Sequence, residues 1–394
     1  AKLQYKHVTN AALVALDAHT GEILTMLGSV DFYNKDIDGQ VNVALRSRQP
    51  GSSIKPLAYV TAFQKGWTPA TLIWDVPTVF TNTYGQTYSP KNYDSQFHGP
   101  VTVRSALANS YNIPAVKTLD FVGLPAFLDT ARAFGITTLT RDDYWLALTL
   151  GGGEVPLIEM AGVYQVFANA GKRMPPVAIR QVTNAQGKVI CQFTPPSSLP
   201  PQAGGVGGGS GVQPCQPSPD TGKQIITPQH AYLITSILSD KRARCPAFGC
   251  PNSLELQVQP VAAKTGTTND YKDNWTLGYT PDLVVGVWVG NSDNTPMKGT
   301  TGVTGAAPIW HNFLEKASKT MPVKDFDRPP GIVEKEICAD TGTLPSEFCS
   351  QKTTEAFAED QPPLGPEQDP HRPTCPDVPA GVALFGYPSA DTFG

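Results

Sequence analysis

The stretch VAAKTGTTNDYKDNWTLGYTPDLVVGVWVGN, residues 261–291, reads as three consecutive strands. Val261 to Thr268 is the first; Asn274 to Gly278 and Leu283 to Val289 follow, the last two separated by the turn residues Tyr279-Thr280-Pro281-Asp282. Far upstream, the apolar runs Ala11 to Leu16 and Ile23 to Leu27 flank Asp17-Ala18-His19-Thr20-Gly21-Glu22, which predicts a hairpin. Between these strand blocks the pattern turns helical. One helix is expected to start near Ser52, with Pro56 early enough that its missing N–H is an orphan position anyway. A second covers Val103 to Asn112, with a boundary at Ile113-Pro114. A third opens at Thr227-Pro228, where a capping threonine precedes proline and Ala231, Ile234, Ile237 and Leu238 recur on one face. A final helix starts at Pro308 and carries Ile309, Phe313 and Leu314. Strands at both ends with helices between them predict an α+β fold in which the terminal strands share one sheet.

Composition narrows the function classes. The 394 residues carry a net charge of −4 with 16% charged residues, which argues against a general nucleic-acid binder. An apolar fraction of 40% can build a core, while 36 Gly and 37 Pro exceed the usual share and must sit in particular segments. Two segments hold much of that excess. Residues 195–220, with the run Ala203-Gly204-Gly205-Val206-Gly207-Gly208-Gly209-Ser210-Gly211, read as a flexible insertion. After Met321 the chain is Pro-rich, with an acidic stretch from Glu359 to Asp369, and is either a small disulfide-stapled appendage or mostly irregular. No run approaches the roughly 18 apolar residues of a membrane span. The start shows neither an initiator Met nor a signal peptide, so the numbering is expected to begin inside a longer protein.

Seven cysteines are present, none in a CxxC pair, and the six histidines are scattered, so no zinc site is expected. Cys245/Cys250 and Cys338/Cys349 flank short loops where disulfides formed in an oxidising compartment explain them better. An odd count leaves one cysteine over, and the connectivity stays open.

Three short elements carry chemistry. Ser52 and Lys55 stand three apart at a helix start, on one face. A serine hydroxyl needs a base to become nucleophilic, and a lysine kept neutral by burial and nearby positive charge can be that base. Alone this is weak, since about one or two S-x-x-K matches are expected by chance in such a length. The second element is Ser110-Tyr111-Asn112: Ser110 could relay a proton and Asn112 could orient Lys55 or a substrate amide. The third is Lys264-Thr265-Gly266-Thr267, where Gly266 leaves room for a ligand beside the backbone and the ammonium and two hydroxyls offer a carboxylate site. Backbone N–H groups of Ser52 and Thr267 are the candidate oxyanion donors.

In this order the three elements resemble the penicilloyl-serine transferases, the penicillin-binding proteins and serine β-lactamases. Gln49 to Pro56, Val101 to Val116, Leu150 to Ala161 and Lys264 to Asn291 all look like the transpeptidase domain of bifunctional, class A penicillin-binding proteins. The resemblance implies a central antiparallel sheet flanked by helices, with a largely helical subdomain, over residues 1–322, and an irregular C-terminal tail over 323–394. It implies a D,D-transpeptidase that cross-links peptidoglycan stem peptides through an acyl-serine intermediate, with a D-Ala-D-Ala donor and an amine acceptor as partners and β-lactams as covalent inhibitors. Catalysis would fall to Ser52, Lys55, Ser110, Asn112 and Lys264, and substrate binding to Thr265, Gly266 and Thr267. No metal or organic cofactor is implied. Class A members carry a membrane anchor and a glycosyltransferase domain ahead of this one; neither is visible here, so a fragment of an anchored parent on the extracytoplasmic face of the membrane is expected. The same residues would serve a D,D-carboxypeptidase or a serine β-lactamase with water as acceptor, and a β-lactam sensor that binds without turnover is a further alternative.

Several residues mimic functional ones. Ser292-Asp293-Asn294 is literally S-D-N, but it follows the third element instead of preceding it and reads as a turn. Glu154 lies where a lactamase would carry its deacylating glutamate; between Gly151-Gly152-Gly153 and Val155-Pro156 it reads as architectural, at the entry to a helix. Trp275, Tyr279 and Trp288 read as core. His98, before Gly99-Pro100, reads as a surface or loop-bracing residue, and with no histidine tied to the motifs a Ser-His-Asp mechanism is disfavoured.

Overall fold

A computed structural model describes residues 3–193, 213–215 and 220–372. Nearly all of the Gly-rich insertion, the tail beyond residue 372 and Cys375 lie outside the described residues. The five strands expected from the two ends form one antiparallel sheet: β1 (Asn10–Asp17), β2 (Ile23–Leu27), β3 (Ala262–Thr267), β4 (Asp273–Tyr279) and β5 (Leu283–Gly290), in the order β3-β4-β5-β1-β2. β1 and β5 pair along their whole length, from Asn10 opposite Gly290 to Asp17 opposite Leu283. Alternation sorts their side chains. Ala12, Val14 and Leu16 face the main helical core, while Leu13, Ala15, Val285 and Val287 pack against Trp310 and Leu314. All eight residues of β5 are buried, as befits a strand covered on both faces.

The helices are α1 (Lys55–Gln64), α2 (Val103–Ala108), α3 (Asn112–Val122), α4 (Leu124–Phe134), α5 (Leu157–Ala168), α6 (Pro228–Ser239), α7 (Lys241–Phe248) and α8 (Ala306–Ala317). α1 is buried from Lys55 through Phe63, so it is the central helix around which the others pack. Thr227 caps α6 as expected, accepting from the His230 N–H. Three helix starts differ in detail from the sequence reading. A 3-10 turn, Gly51–Ile54, precedes α1. α8 starts two residues before Pro308. The helix expected over Val103 to Asn112 ends at Ala108, and Ile113-Pro114 opens α3 instead of closing α2. Proline is tolerated in a first helical turn, whose N–H groups have no partner within the helix; the break comes from Ser110, whose φ of 61° is left-handed.

Beyond the sheet, β6 (Ile332–Cys338) and β7 (Lys352–Ala358) pair antiparallel, with Cys338 and Cys349 joined across the connection. That is the stapled form left open by the composition. Cys245–Cys250 pairs as expected, and Cys191–Cys215 joins the two edges of the Gly-rich insertion. The last pair had no local signal, because its partners stand 24 residues apart.

Candidate active site

Ser52 is partly exposed in the 3-10 turn ahead of α1, and the neighbouring Gly51 is pressed between Thr267 of β3 and Gly151. Gly51 has a φ of 55°, and a side chain on it would lie 2.6 Å from Thr267 O. A side chain on Gly266 would lie 2.1 Å from Pro50 O. The close neighbour that excludes a side chain at Gly266 is the serine-bearing turn itself. The turn is braced from within by the Ser53 hydroxyl donating to Pro50 O (2.7 Å) and from below by Tyr164 OH donating to Ser53 O (2.8 Å).

One turn of helix on, Lys55 is wholly buried. Its Nζ donates to Ser110 O (2.6 Å), Asn112 Oδ1 (2.8 Å) and Tyr111 O (3.0 Å), with Ser110 Oγ at 3.4 Å. Among the described residues it makes no hydrogen bond to Ser52. Asn112 is fixed at its other end, Nδ2 donating to Lys91 O (2.8 Å), so its amide orientation is set by two partners. Asn109, just ahead, donates to Ala243 O and accepts from the Ala247 N–H, which ties the α2–α3 junction to α7.

From the opposite wall, Lys264 Nζ donates to Ser110 Oγ (2.7 Å) and Thr265 O (3.0 Å). Ser110 thus stands between two lysines. Alternation along β3, an edge strand, turns Thr265 and Thr267 to the other face from Lys264. Thr265 is 6% exposed beneath Gly302, and Thr267 Oγ1 accepts the Gly302 N–H (2.9 Å). The two lysines are depressed chiefly by burial. Lys55 falls well below its ordinary value, helped by the charge of Lys264 and opposed by Asp75. Lys264 falls to about 7, helped by Arg244, a buried guanidinium held by the carbonyls of Leu238 and Leu254.

The mimics resolve plainly. Ser292-Asp293-Asn294 is a turn after β5, with Asn294 at a φ of 65° and Arg48 donating to Ser292 O and Asn294 Oδ1. Glu154 is exposed, and the first-turn acid of α5 is Glu159, which accepts from the Thr137 and Thr138 hydroxyls. Trp275, Tyr279 and Trp288 are fully buried. His98 braces the second element directly, its ring stacked on Tyr111. Asp75, Asn92 and Arg244 also surround the lysines, and sequence reasoning missed all three. Nothing in their local spacing sets them apart, because Asp75 reaches the site from a short strand, Asn92 from a loop and Arg244 from α7.

Fold and site together define a transpeptidase domain of the penicillin-binding type. The crystal structure of penicillin-binding protein 1A from Haemophilus influenzae matches with a TM-score of 0.73 at 27% identity, covering 91% of this chain and 54% of that one. The PonA1 protein of Mycobacterium tuberculosis, solved with penicillin V, shares the fold with a TM-score of 0.65 at 23% identity, covering 81% of this chain and 80% of that one. The chain belongs to the family described as penicillin binding protein transpeptidase domain, whose profile matches residues 11–315. A second profile, penicillin-binding protein 1A, C-terminal domain, matches residues 328–364. Penicillin-binding protein 1A of Pseudomonas aeruginosa is 32% identical over 413 residues, 95% of this chain and 49% of that protein. The chain thus spans about half the length of the curated relatives it matches. Among the described residues no helix is long and apolar enough to cross a membrane.

Proposed function

We propose that this chain is a D,D-transpeptidase acting on peptidoglycan stem peptides, with residues 1–322 as the catalytic domain and 323–394 as an appended tail, at the extracytoplasmic face of the membrane. The observation that carries the reading is Ser110 Oγ placed between Lys264 Nζ (2.7 Å) and Lys55 Nζ (3.4 Å), beside a serine turn clamped on β3. Ser52 Oγ attacks the carbonyl between the terminal D-alanines and its proton passes to neutral Lys55. The oxyanion rests on the N–H groups of Ser52 and Thr267. Collapse breaks the peptide bond, and the departing D-alanine amine takes a proton through Ser110, leaving the acyl-enzyme. An amine of a second stem peptide then attacks the ester and frees Ser52. Lys264 holds Ser110 across the site, and the donor carboxylate lies near Lys264, Thr265 and Thr267. The exposed Glu154, which makes no hydrogen bond to Ser52 or Lys55 among the described residues, supports an amine over water as acceptor.

β-Lactams acylate the same serine. Incubation with labelled penicillin should give an adduct that Ser52→Ala abolishes and that persists beyond seconds. A chain that takes no label at Ser52 sinks the reading, and an adduct lost within seconds makes it a β-lactamase. D-Alanine release that does not respond to an added acceptor amine would make it a carboxypeptidase, and a stable adduct without any peptide turnover a sensor.

A further inference from the structure

Behind the second element lies a carboxylate that the chemistry above does not use. Asp75 ends the short strand Leu72–Asp75 and is 0% exposed. Its Oδ2 accepts from Asn92 Nδ2 (2.7 Å) and the His98 N–H (3.1 Å) and lies 2.6 Å from His98 Nδ1, while Oδ1 has no hydrogen-bond partner. A buried carboxylate with one bare oxygen is costly unless positive charge answers it. The titratable groups facing it are Lys55 and Tyr59 from α1, Tyr111 from the second element, Lys117 from α3 and His98 from the adjoining loop. His98 Nε2 faces Asp94 in turn, at 3.1 Å.

Two paths lead from Asp75 to Lys55. In one, the His98 ring stacks on Tyr111 with centroids 3.9 Å apart, and Tyr111 O accepts from Lys55. In the other, Asn92 Oδ1 accepts the Asn112 N–H (2.7 Å), and Asn112 Oδ1 accepts from Lys55. We propose that Asp75, Asn92 and His98 are positioning residues that clamp the Ser110–Asn112 turn onto Lys55 and set a buried negative charge behind that lysine. The inference rests on the reading of Lys55 as the base. Its charge has a definite sign: Asp75 favours the protonated form of Lys55, so neutralising it favours the free amine.

The test uses the whole chain with Asp75→Asn, His98→Ala and His98→Phe, the last keeping a ring against Tyr111. The rate of Ser52 labelling by penicillin is followed across pH, with thermal unfolding as a fold control and amide exchange over residues 109–113. Asp75→Asn should lower the plateau rate by about ten-fold and move the acid limb to lower pH, which a merely structural role would not do. His98→Ala should lower the plateau with no such movement, His98→Phe should recover part of it, and both Asp75→Asn and His98→Ala should speed exchange at Asn112. Native rates, an unmoved limb and unchanged exchange overturn the proposal. Should Asp75→Asn fail to fold, the plateau rate and the exchange at Asn112 in the partly exposed His98→Ala decide. If the native chain takes no label, the assigned chemistry falls, and exchange at Asn112 still judges the clamp.

Discussion

At Lys264 a single buried ammonium links stability to function. Its proton is held to about 7 in the folded chain against an ordinary 10.5. Between those values the unfolded chain carries a proton that the folded chain does not, so stability rises with pH through that window. The penalty of burying the charge is complete below about 7 and gone above about 10.5. Lys264→Met should therefore stabilise the chain more at about pH 6 than at about pH 10, read by urea unfolding at both. Equal gains would show that Lys264 is not the strained group. Because the charge of Lys264 also lowers Lys55, penicillin acylation should fall as the pH drops and protons load onto the two lysines, Lys264 at about 7. All five side chains assigned to catalysis were legible as residue types at fixed spacings. Their partnership was not: nothing in the spacing of Lys264 says that Ser110 lies against it or that Arg244 stands behind it.

The α2–α3 junction shows where element-level reading runs out. The helix expected over Val103 to Asn112, with Ile113-Pro114 as its boundary, ends at Ala108. What decides the break is the left-handed Ser110, held by contacts that come from far along the chain. Asn109 is the chief of these, donating to Ala243 O (2.8 Å) and accepting from the Ala247 N–H (3.0 Å), both on α7. Replacing it leaves those two backbone groups without their partner, a loss of about 1 to 3 kcal/mol. Asn109→Ala should lower the unfolding free energy by that much and also slow Ser52 labelling, since the junction positions Ser110. A variant that loses stability at native labelling rate would mean that α7 supports the fold without fixing the site. The strands of the five-stranded sheet, by contrast, were legible almost to the residue, because β3 to β5 are read from turn residues and β-branched runs that need no distant partner, whereas β6 and β7 lay hidden in the Pro-rich tail.

At the scale of the whole molecule, the terminal segments close on the same body. β1 completes the sheet that β5 begins, and the segment after α8 returns to the helices. Ala70 packs with Ile337 and Phe357, Gln361 Nε2 donates to Phe63 O at the far end of α1, and a side chain on Gly342 would lie 2.0 Å from Ala70 O. The strongest tie is polar. Arg104, on the helix that leads to Ser110, grips Glu355 of β7 with two bonds of 2.6 Å and also reaches Asp240 (3.2 Å) at the cap of α7. One guanidinium thus joins α2, α7 and the stapled hairpin, a bidentate geometry that lysine could not reproduce. Glu355 is 5% exposed, so removing Arg104 strands a charge with little water to receive it, at about 3 to 5 kcal/mol, whereas removing Glu355 leaves Arg104 with Asp240 as its remaining charge partner. Arg104→Ala should destabilise strongly and Glu355→Ala less, while the double variant should cost clearly less than both together, with coupling of about 1 kcal/mol or more in urea unfolding. Effects that add within about 0.5 kcal/mol would mean that the hairpin sits on the helices through its apolar face alone. If the coupling is present, limited proteolysis of Glu355→Ala should cut first around the β6–β7 hairpin, because its polar tie is gone while Cys338–Cys349 still closes the loop.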